Sequence, residues 1–498
     1  MADPMLKRLL LSVLAIILVL VAVLAVNTLR QTSRQLDVPP APPVAIDADA
    51  AAQHLVAAVR LRTVSSAEDA QQNADQFRAL HEHLRTAYPR VHATLKRELV
   101  DELSLLYTWP GSDPSAKPML LMAHQDVVPI APGTEPDWTE PPFSGNVKGG
   151  FVWGRGAWDD KGNLIAELEA VESLLAAGFQ PKRTIYLAFG ADEEVGGVRG
   201  AAQIAKLLAS RGVKLDFVID EGLLITEGTL PGVDKPIALI GVAEKGFLSL
   251  SLHASATPGH SSMPPPPGRS AIAMMSGALK RLDEQPFPAE MRGVAREMFD
   301  TLAPEMHGFN RVALSNLWLL GPAVRRQLEA LPSGNAMLRT TTALTVVHAG
   351  NKDNVLPGRA EAIVNFRILQ GDSRASVVQH VKDVIGDERI TLGAAGGTEP
   401  SRISPTQSAS YQLVNRTVRE LFPGTLVAPG LVIGATDSRH FEPLSEHVYR
   451  FSPVRAHPQD LVRFHGTNER ISTDNLADLI RFYRRLMEQS ANKSTATP

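Results

Sequence analysis

Three apolar runs in this chain stop abruptly at ionisable groups: PMLLMAHQD (118–126), TIYLAFGADEE (184–194) and LDFVIDEG (215–222). Each reads as a buried strand. Helical spacing lies between them, over about 163–177 and 198–210. Strands alternating with helices predict a sheet with parallel strands and helices on its faces. In such sheets functional groups gather beyond the carboxyl ends of the strands. His124, Asp159, Glu193-Glu194 and Asp220-Glu221 all fall at predicted strand ends or turns.

A chain of 498 residues exceeds what one hydrophobic core usually serves, so two or more domains are expected. The net charge of -3 argues against a nucleic-acid partner reached through bulk electrostatics. There is no cysteine. Disulfides, thiolate nucleophiles and Cys-ligated zinc are therefore excluded, and a metal would have to sit on His, Asp or Glu.

From Leu9 to Val26 only Ser12 is polar, and Lys7-Arg8 precede the run. At about 1.5 Å per residue these 18 residues span close to the ~30 Å hydrocarbon core. A secretory signal has a shorter apolar region, so an uncleaved single-pass anchor is preferred over a cleaved leader. Arg30 and Arg34 oppose the Lys7-Arg8 bias in setting orientation. The preferred placement puts the body on the extracytoplasmic side.

VPPAPPV (38–44) reads as a stiff spacer, and residues 47–88 look helical. Near 246 the pattern changes: GFLSLSLHASA alternates with period two, as a half-buried antiparallel strand should. TTTALTVVHAG and AEAIVNFRILQ add two more strands. The expected organisation is an N-terminal anchor and linker over 1–37 with the membrane helix at 9–26. A catalytic α/β domain follows over 45–245, with an inserted α+β domain over 246–371, the catalytic domain resuming at 372–490, and a disordered tail from 491. The helix RASVVQHVKDVI (374–385) is compatible with either side of that boundary.

Singly, each polar group has a bland reading. His124/Asp126 could be a strand-end ion pair, and Asp159-Asp160 beside Lys161 a solvated turn with a helix cap. GADEEVGG could be an acidic helix start, and His465 a loop histidine. His81 and His83 sit on a charged helix face and read as solvated. Together these readings need several coincidences. Like charges converging at one sheet edge repel unless a cation offsets them. Two zinc ions need several terminal ligands and usually a bridging carboxylate. Two histidines, a bridging aspartate, two further carboxylates and a spare glutamate meet that need.

HQDVVP, GRGAWDDKG, DEEVGG, PGHSS, ATDSRHF and HGTNERI resemble the aminoacylase/carboxypeptidase group of dizinc metallopeptidases, metallopeptidase family 20. The resemblance runs in order from about 50 to 490. It is similar above all to the branch that holds carboxypeptidase S and the N-fatty-acyl-amino-acid synthase/hydrolases. It implies a catalytic domain with a mixed, mostly parallel sheet flanked by helices, and a smaller inserted lid or dimerisation domain. It implies two zinc ions per chain, His124 on one and His465 on the other, with Asp159 bridging and Glu194 a ligand. The Asp159–Asp160 peptide is expected to be cis. Asp220 and Glu221 point to opposite faces of a strand, so one of the two is expected to bind metal. Asp126 would stand behind His124 and fix its tautomer. Glu193 would be the general base, and His260 would donate to the developing oxyanion, often from a partner subunit. Asn354, Arg367 and Arg439 match substrate-contacting positions, Arg439 as a clamp for a free carboxylate. For each arginine the alternative is a structural ion pair.

The resemblance thus implies hydrolysis of amide bonds in peptides with a free C-terminal carboxylate, a zinc-activated water giving its proton to Glu193. The competing reading within the class is an N-fatty-acyl-amino-acid hydrolase/synthase. A non-catalytic binding relative would betray itself by losing the base or a ligand, and the chain keeps them all. The insert is a candidate homodimer contact, and the N-terminal helix the membrane contact.

Overall fold

The computed structural model describes residues 4–393 and 396–492. Its larger sheet has eight strands among the described residues; three of the junctions along its order are antiparallel, and the central strands run parallel. Strand Met119–His124 lies between Ile185–Gly190 and Phe217–Thr226, parallel to both. Every residue of Met119–His124 is buried because both faces are covered. Met119, Leu121 and Ala123 enter the core formed with helices Ala48–Val59, Lys161–Ala176 and Thr473–Asn492. Leu120 and Met122 turn the other way, onto Ile204, Ala205 and Leu208 of helix Ala201–Ser210. Fully burying each large apolar side chain contributes roughly 1.5–3 kcal/mol, so this strand is fixed in register as well as in place. Register brings His124 level with Gly190, which delivers the ends of two neighbouring strands to one edge.

The second sheet is antiparallel, in the order Thr341–His348, Arg359–Ile368, Gly246–Ser255 and Ile390–Gly393. In Gly246–Ser255, Leu248, Leu250, Leu252 and Ala254 point into a separate core under helices Ala271–Glu284 and Arg374–Ile385. The insert boundary expected at 371 is therefore corrected. Helix Arg374–Ile385 packs on this sheet, and Ile390–Gly393 and Gly397–Thr398 pair with Gly246–Ser255, so the unit closes near 398. A second correction concerns the helices from Gly293 to Leu338. Met298, Phe299, Leu302 and Leu314 pack on Ile237, Leu426 and Ala428 of the large sheet rather than on the small one.

The N-terminal helix runs Pro4–Arg30 and nearly all of its apolar side chains are exposed. The helix expected over 163–177 begins at Lys161, and that expected over 198–210 begins at Ala201. The tail expected from 491 begins inside helix Thr473–Asn492, and 493–498 lie outside the described residues.

Candidate active site

Three strands of the large sheet and two loops converge at the same edge. His124 ends its strand, Glu193 and Glu194 open a single 3-10 turn just past Ile185–Gly190, and Glu221 lies in Phe217–Thr226. Asp159 precedes helix Lys161–Ala176, with a cis peptide to Asp160. His465 arrives from a loop 306 residues later in sequence than Asp159 and adopts φ 56°. A non-glycine residue in the left-handed region costs of order 1 kcal/mol, and such strain clusters where a side chain must be aimed.

Asp159 is the meeting point. One carboxylate oxygen lies 3.0 Å from His124 Nε2 and the other 2.7 Å from His465 Nε2. Glu221 Oε1 stands 3.8 Å from His124 Nε2, and Glu194 Oε2 3.3 Å from His465 Nε2. Two triads of donor atoms result, His124/Asp159/Glu221 and Asp159/Glu194/His465, sharing Asp159. A third grouping joins His124 to Glu193 and Glu194. Glu194 Oε1 is buried without a hydrogen-bond partner among the described residues, an orphaned acceptor of the kind a cation satisfies. The donor set, imidazole nitrogen and carboxylate oxygen, is one that zinc accepts.

The protonation pattern shows the strain of this crowding. Burial pushes Glu221 up, and the charges of Asp159 and Asp160 push further. Burial likewise raises Glu193; His124 opposes the shift, while Asp437 and Glu194 add to it. Burial disfavours the Asp159 anion, yet hydrogen bonds from His124 and His465 hold its carboxyl below the usual carboxylate range. His465 is pushed up to about 10 by its contacts with Asp159 and Glu194.

Asp220 does not join the cluster. Its oxygens accept from Ser438 N at 2.8 Å and Glu221 N at 3.0 Å, on the opposite side of the strand. Asp126 does more than stand behind His124. The ring's Nδ1 lies 2.9 Å from the Asp126 carbonyl oxygen and 3.4 Å from its carboxylate. That carboxylate accepts from Glu193 N and Glu194 N, each at 3.1 Å, and from Ser65 Oγ at 2.7 Å.

His260 and Asn354 are not brought to the cluster. They share a short exposed ribbon in which Gly259–His260 pairs with Val355–Leu356 and Ser261 N donates to Asn354 O at 3.1 Å. No hydrogen bond or ion pair links His260 to the acids among the described residues; its Nδ1 lies 2.8 Å from Ser262 Oγ. Arg367 and Arg439 have no carboxylate partner among the described residues, so neither forms the structural ion pair that was the alternative. Arg439 donates to Thr436 O at 3.0 Å and to Gly196 O at 2.8 Å, just past the Glu193-Glu194 turn. Arg367 extends over the Phe247 ring; burial lowers its pKa, and the charge of Arg439 lowers it further. The two guanidiniums, one from each sheet's unit, thus lie near enough for their charges to interact, and Arg439 also offsets the buried Asp437 carboxylate.

Two readings of single residues missed. His81 is buried, not solvated: its Nε2 lies 2.7 Å from Gln125 Oε1, and Gln125 Nε2 ties Leu103 O and Phe189 O. His83 is half-buried against the His54 carbonyl. Both sit on the inner face of helix Ala74–Ala87, which the charged residues around them disguise. Glu469, in the same motif as His465, is a further residue of the site that no sequence pattern marks. Its Oε1 accepts from the amides of Gly156, Trp158 and Asp159 at 2.9–3.1 Å, while Oε2 pairs with Arg155. It holds the loop that presents Asp159. No pattern in the sequence separates such a carboxylate from a solvated one.

A mixed α/β sheet whose edge gathers histidines and carboxylates around one shared aspartate defines a class, that of metal-dependent hydrolases. A model of the family described as peptidase family M20/M25/M40 matches residues 120–489. The chain belongs to that family and is a hydrolase. It is 40% identical over 478 residues to "Probable carboxypeptidase S-like 2" of Dictyostelium discoideum, covering 94% of this chain and 91% of that one. It is 42% identical over 434 residues to "N-fatty-acyl-amino acid synthase/hydrolase PM20D1" of Mus musculus, covering 86% and 85%. Carboxypeptidase S of Saccharomyces cerevisiae is 33% identical over 460 residues, covering 82% and 77%. The fold is shared with an M20 family metallo-carboxypeptidase of Sulfolobus solfataricus at 18% identity and a TM-score of 0.63, over 89% of this chain and 99% of that one.

Proposed function

We propose that the chain is a membrane-anchored dizinc hydrolase that cleaves amide bonds in peptides bearing a free C-terminal carboxylate. The observation that carries this reading is the division of Asp159 between two histidines, at 3.0 and 2.7 Å. His124, Asp159 and Glu221 would hold one zinc, and Asp159, Glu194 and His465 the other, leaving Asp220 to brace the strand. Such a pair, when bound, acidifies water and polarises a carbonyl. Glu193 completes neither ligand triad, and its raised carboxyl suits a group that takes a proton from water and returns it to the leaving amine. Asp126 positions both partners of that step, the His124 ring and the Glu193 backbone. Arg439 and Arg367, neither in an ion pair among the described residues, would clasp the substrate carboxylate, with Asn354 as a further contact. His260 is exposed on the insert and would reach the oxyanion from a second copy of the chain, the insert serving as lid and dimer contact.

A second reading keeps the same site and changes the acyl group: hydrolysis, or in reverse synthesis, of N-fatty-acyl amino acids. The 42% identity to a mouse protein so named favours it. Both substrates present an amide next to a free carboxylate, and one transition state serves both directions.

The deciding experiment measures zinc in the purified full chain and turnover on a panel of dipeptides and N-acyl amino acids. Close to two zinc ions per chain are expected. Glu193→Gln should keep the metal and lose at least about 100-fold in kcat. An active metal-free protein, or a Glu193→Gln variant near wild-type activity, would remove this mechanism. The panel then decides which acyl group is preferred.

A further inference from the structure

The N-terminal helix does not stand alone. Its last turns meet a helical hairpin, Gly308–Ser315 and Leu317–Glu329, whose joint is the fully buried Asn316. Asn316 Nδ2 donates to Leu24 O and Thr28 Oγ1, each at 3.2 Å, and Asn316 Oδ1 accepts from Asn27 Nδ2 at 3.0 Å. Leu24 belongs to the apolar run of 9–26, so the hairpin joint sits at the depth where that run ends.

The hairpin has two apolar faces. Leu314, Leu317, Val324 and Leu328 pack inward on the body. Phe309, Trp318 and Leu319 face outward, 72%, 61% and 39% exposed among the described residues. A polar cavity of about 350 Å³ opens beside the joint, lined by Asn27, Arg30, Gln31, Thr32, Arg34 and Ser315. Among the described residues its two arginines have no acidic partner, and Ser315 Oγ is buried without a hydrogen-bond partner. Outward aromatic side chains, a basic polar pocket and the end of a membrane-length helix thus lie side by side. Tryptophan next to cationic side chains is what a membrane–water interface selects, because the ring is apolar in body and polar at its edge.

We infer that the hairpin 308–329 is a second membrane contact, lying in the interface of the bilayer that the N-terminal helix spans, with Arg30 and Arg34 facing lipid phosphate. This rests on the anchor reading above. It fastens the catalytic body to the membrane surface rather than leaving it on the 38–44 tether.

Trp318 makes the inference measurable. The chain has five tryptophans, and the other four are only 2–8% exposed. The full chain is reconstituted into phosphatidylcholine–phosphatidylglycerol vesicles, with or without lipids brominated near the top of the acyl chain. Flotation verifies insertion. The emission that Trp318→Phe removes should be mostly lost in brominated vesicles and shielded from aqueous acrylamide, while emission of the variant changes little. A chain that fails to float overturns the anchor and the hairpin contact together. A chain that floats, with Trp318 unaffected by bromine, keeps the anchor and overturns the hairpin contact.

Discussion

The carboxylate of Asp126 accepts the backbone amide of Glu193 at 3.1 Å, while the Asp126 carbonyl oxygen stands 2.9 Å from His124 Nδ1. One buried residue thereby sets the aim of a histidine on one strand and of a glutamate turn on the next. Asp126→Ala should lower kcat by about 10- to 100-fold and weaken zinc retention, the usual cost of losing a residue that orients a ligand. Asp126→Asn keeps one acceptor oxygen and should fall between the two. Steady-state kinetics with metal analysis on the same samples checks both; an Asp126→Ala variant with full activity would leave the Glu193 turn held by something else.

Arg439 is tied to Gly196 O and Thr436 O and hydrogen-bonds no carboxylate among the described residues. A charge-assisted hydrogen bond contributes about 1.5–3 kcal/mol. Arg439→Ala should therefore reduce kcat/KM by about 10- to 100-fold on substrates with a free carboxylate. C-terminally amidated analogues should be affected far less. An equal loss on both substrate types would show that Arg439 braces the loop instead of binding the carboxylate.

Zinc uptake should release protons at neutral pH. In the metal-free protein His465 titrates at about 10, raised by Asp159 and Glu194. His124 is raised as well: burial opposes its cation, but hydrogen bonds to Asp126 and Asp159 outweigh burial. Both rings carry a proton near pH 7 and must lose it to bind metal. Calorimetric titrations of zinc in buffers of different ionisation enthalpy should give one proton from each ring. The sign for stability follows. The raised pKa of His465 stabilises the metal-free fold fully below about 6.5, the unperturbed histidine value. That contribution is lost as pH rises through about 10. Thermal unfolding of the chelated protein at rising pH reads this directly.

Glu469 and Arg155 form a buried pair, with side chains 0% and 3% exposed. Glu469→Ala leaves a buried guanidinium without its anion and three amides without their acceptor, so a loss of about 3–5 kcal/mol is expected. Denaturant unfolding measures it. Because the same carboxylate holds the amide of Asp159, metal content should fall in parallel, whereas a merely surface pair would change neither.

Much of the site was legible in the sequence because its chemistry sits where local pattern is strongest. The apolar runs before His124 and Glu193-Glu194 are strands that end at or just before those residues, while the strand carrying Glu221 runs on past it to Thr226. Strand alternation already separated Asp220 from Glu221. What chose between them is the amide of Ser438, which occupies Asp220 from 218 residues away. The same holds for His81, whose burial depends on Gln125 in a neighbouring strand end. It holds for the insert, whose last strand at Ile390–Gly393 returns to pair with Gly246–Ser255. The sequence by itself determined the residue types and the edge at which they gather, since both follow from short-range periodicity. Only the tertiary structure decided the partners: the two histidines that share Asp159, the amides that Asp126 and Glu469 hold, and the two guanidiniums left outside any ion pair among the described residues. Those depend on long-range pairing and on which faces become covered, and neither is encoded in any one stretch of the chain.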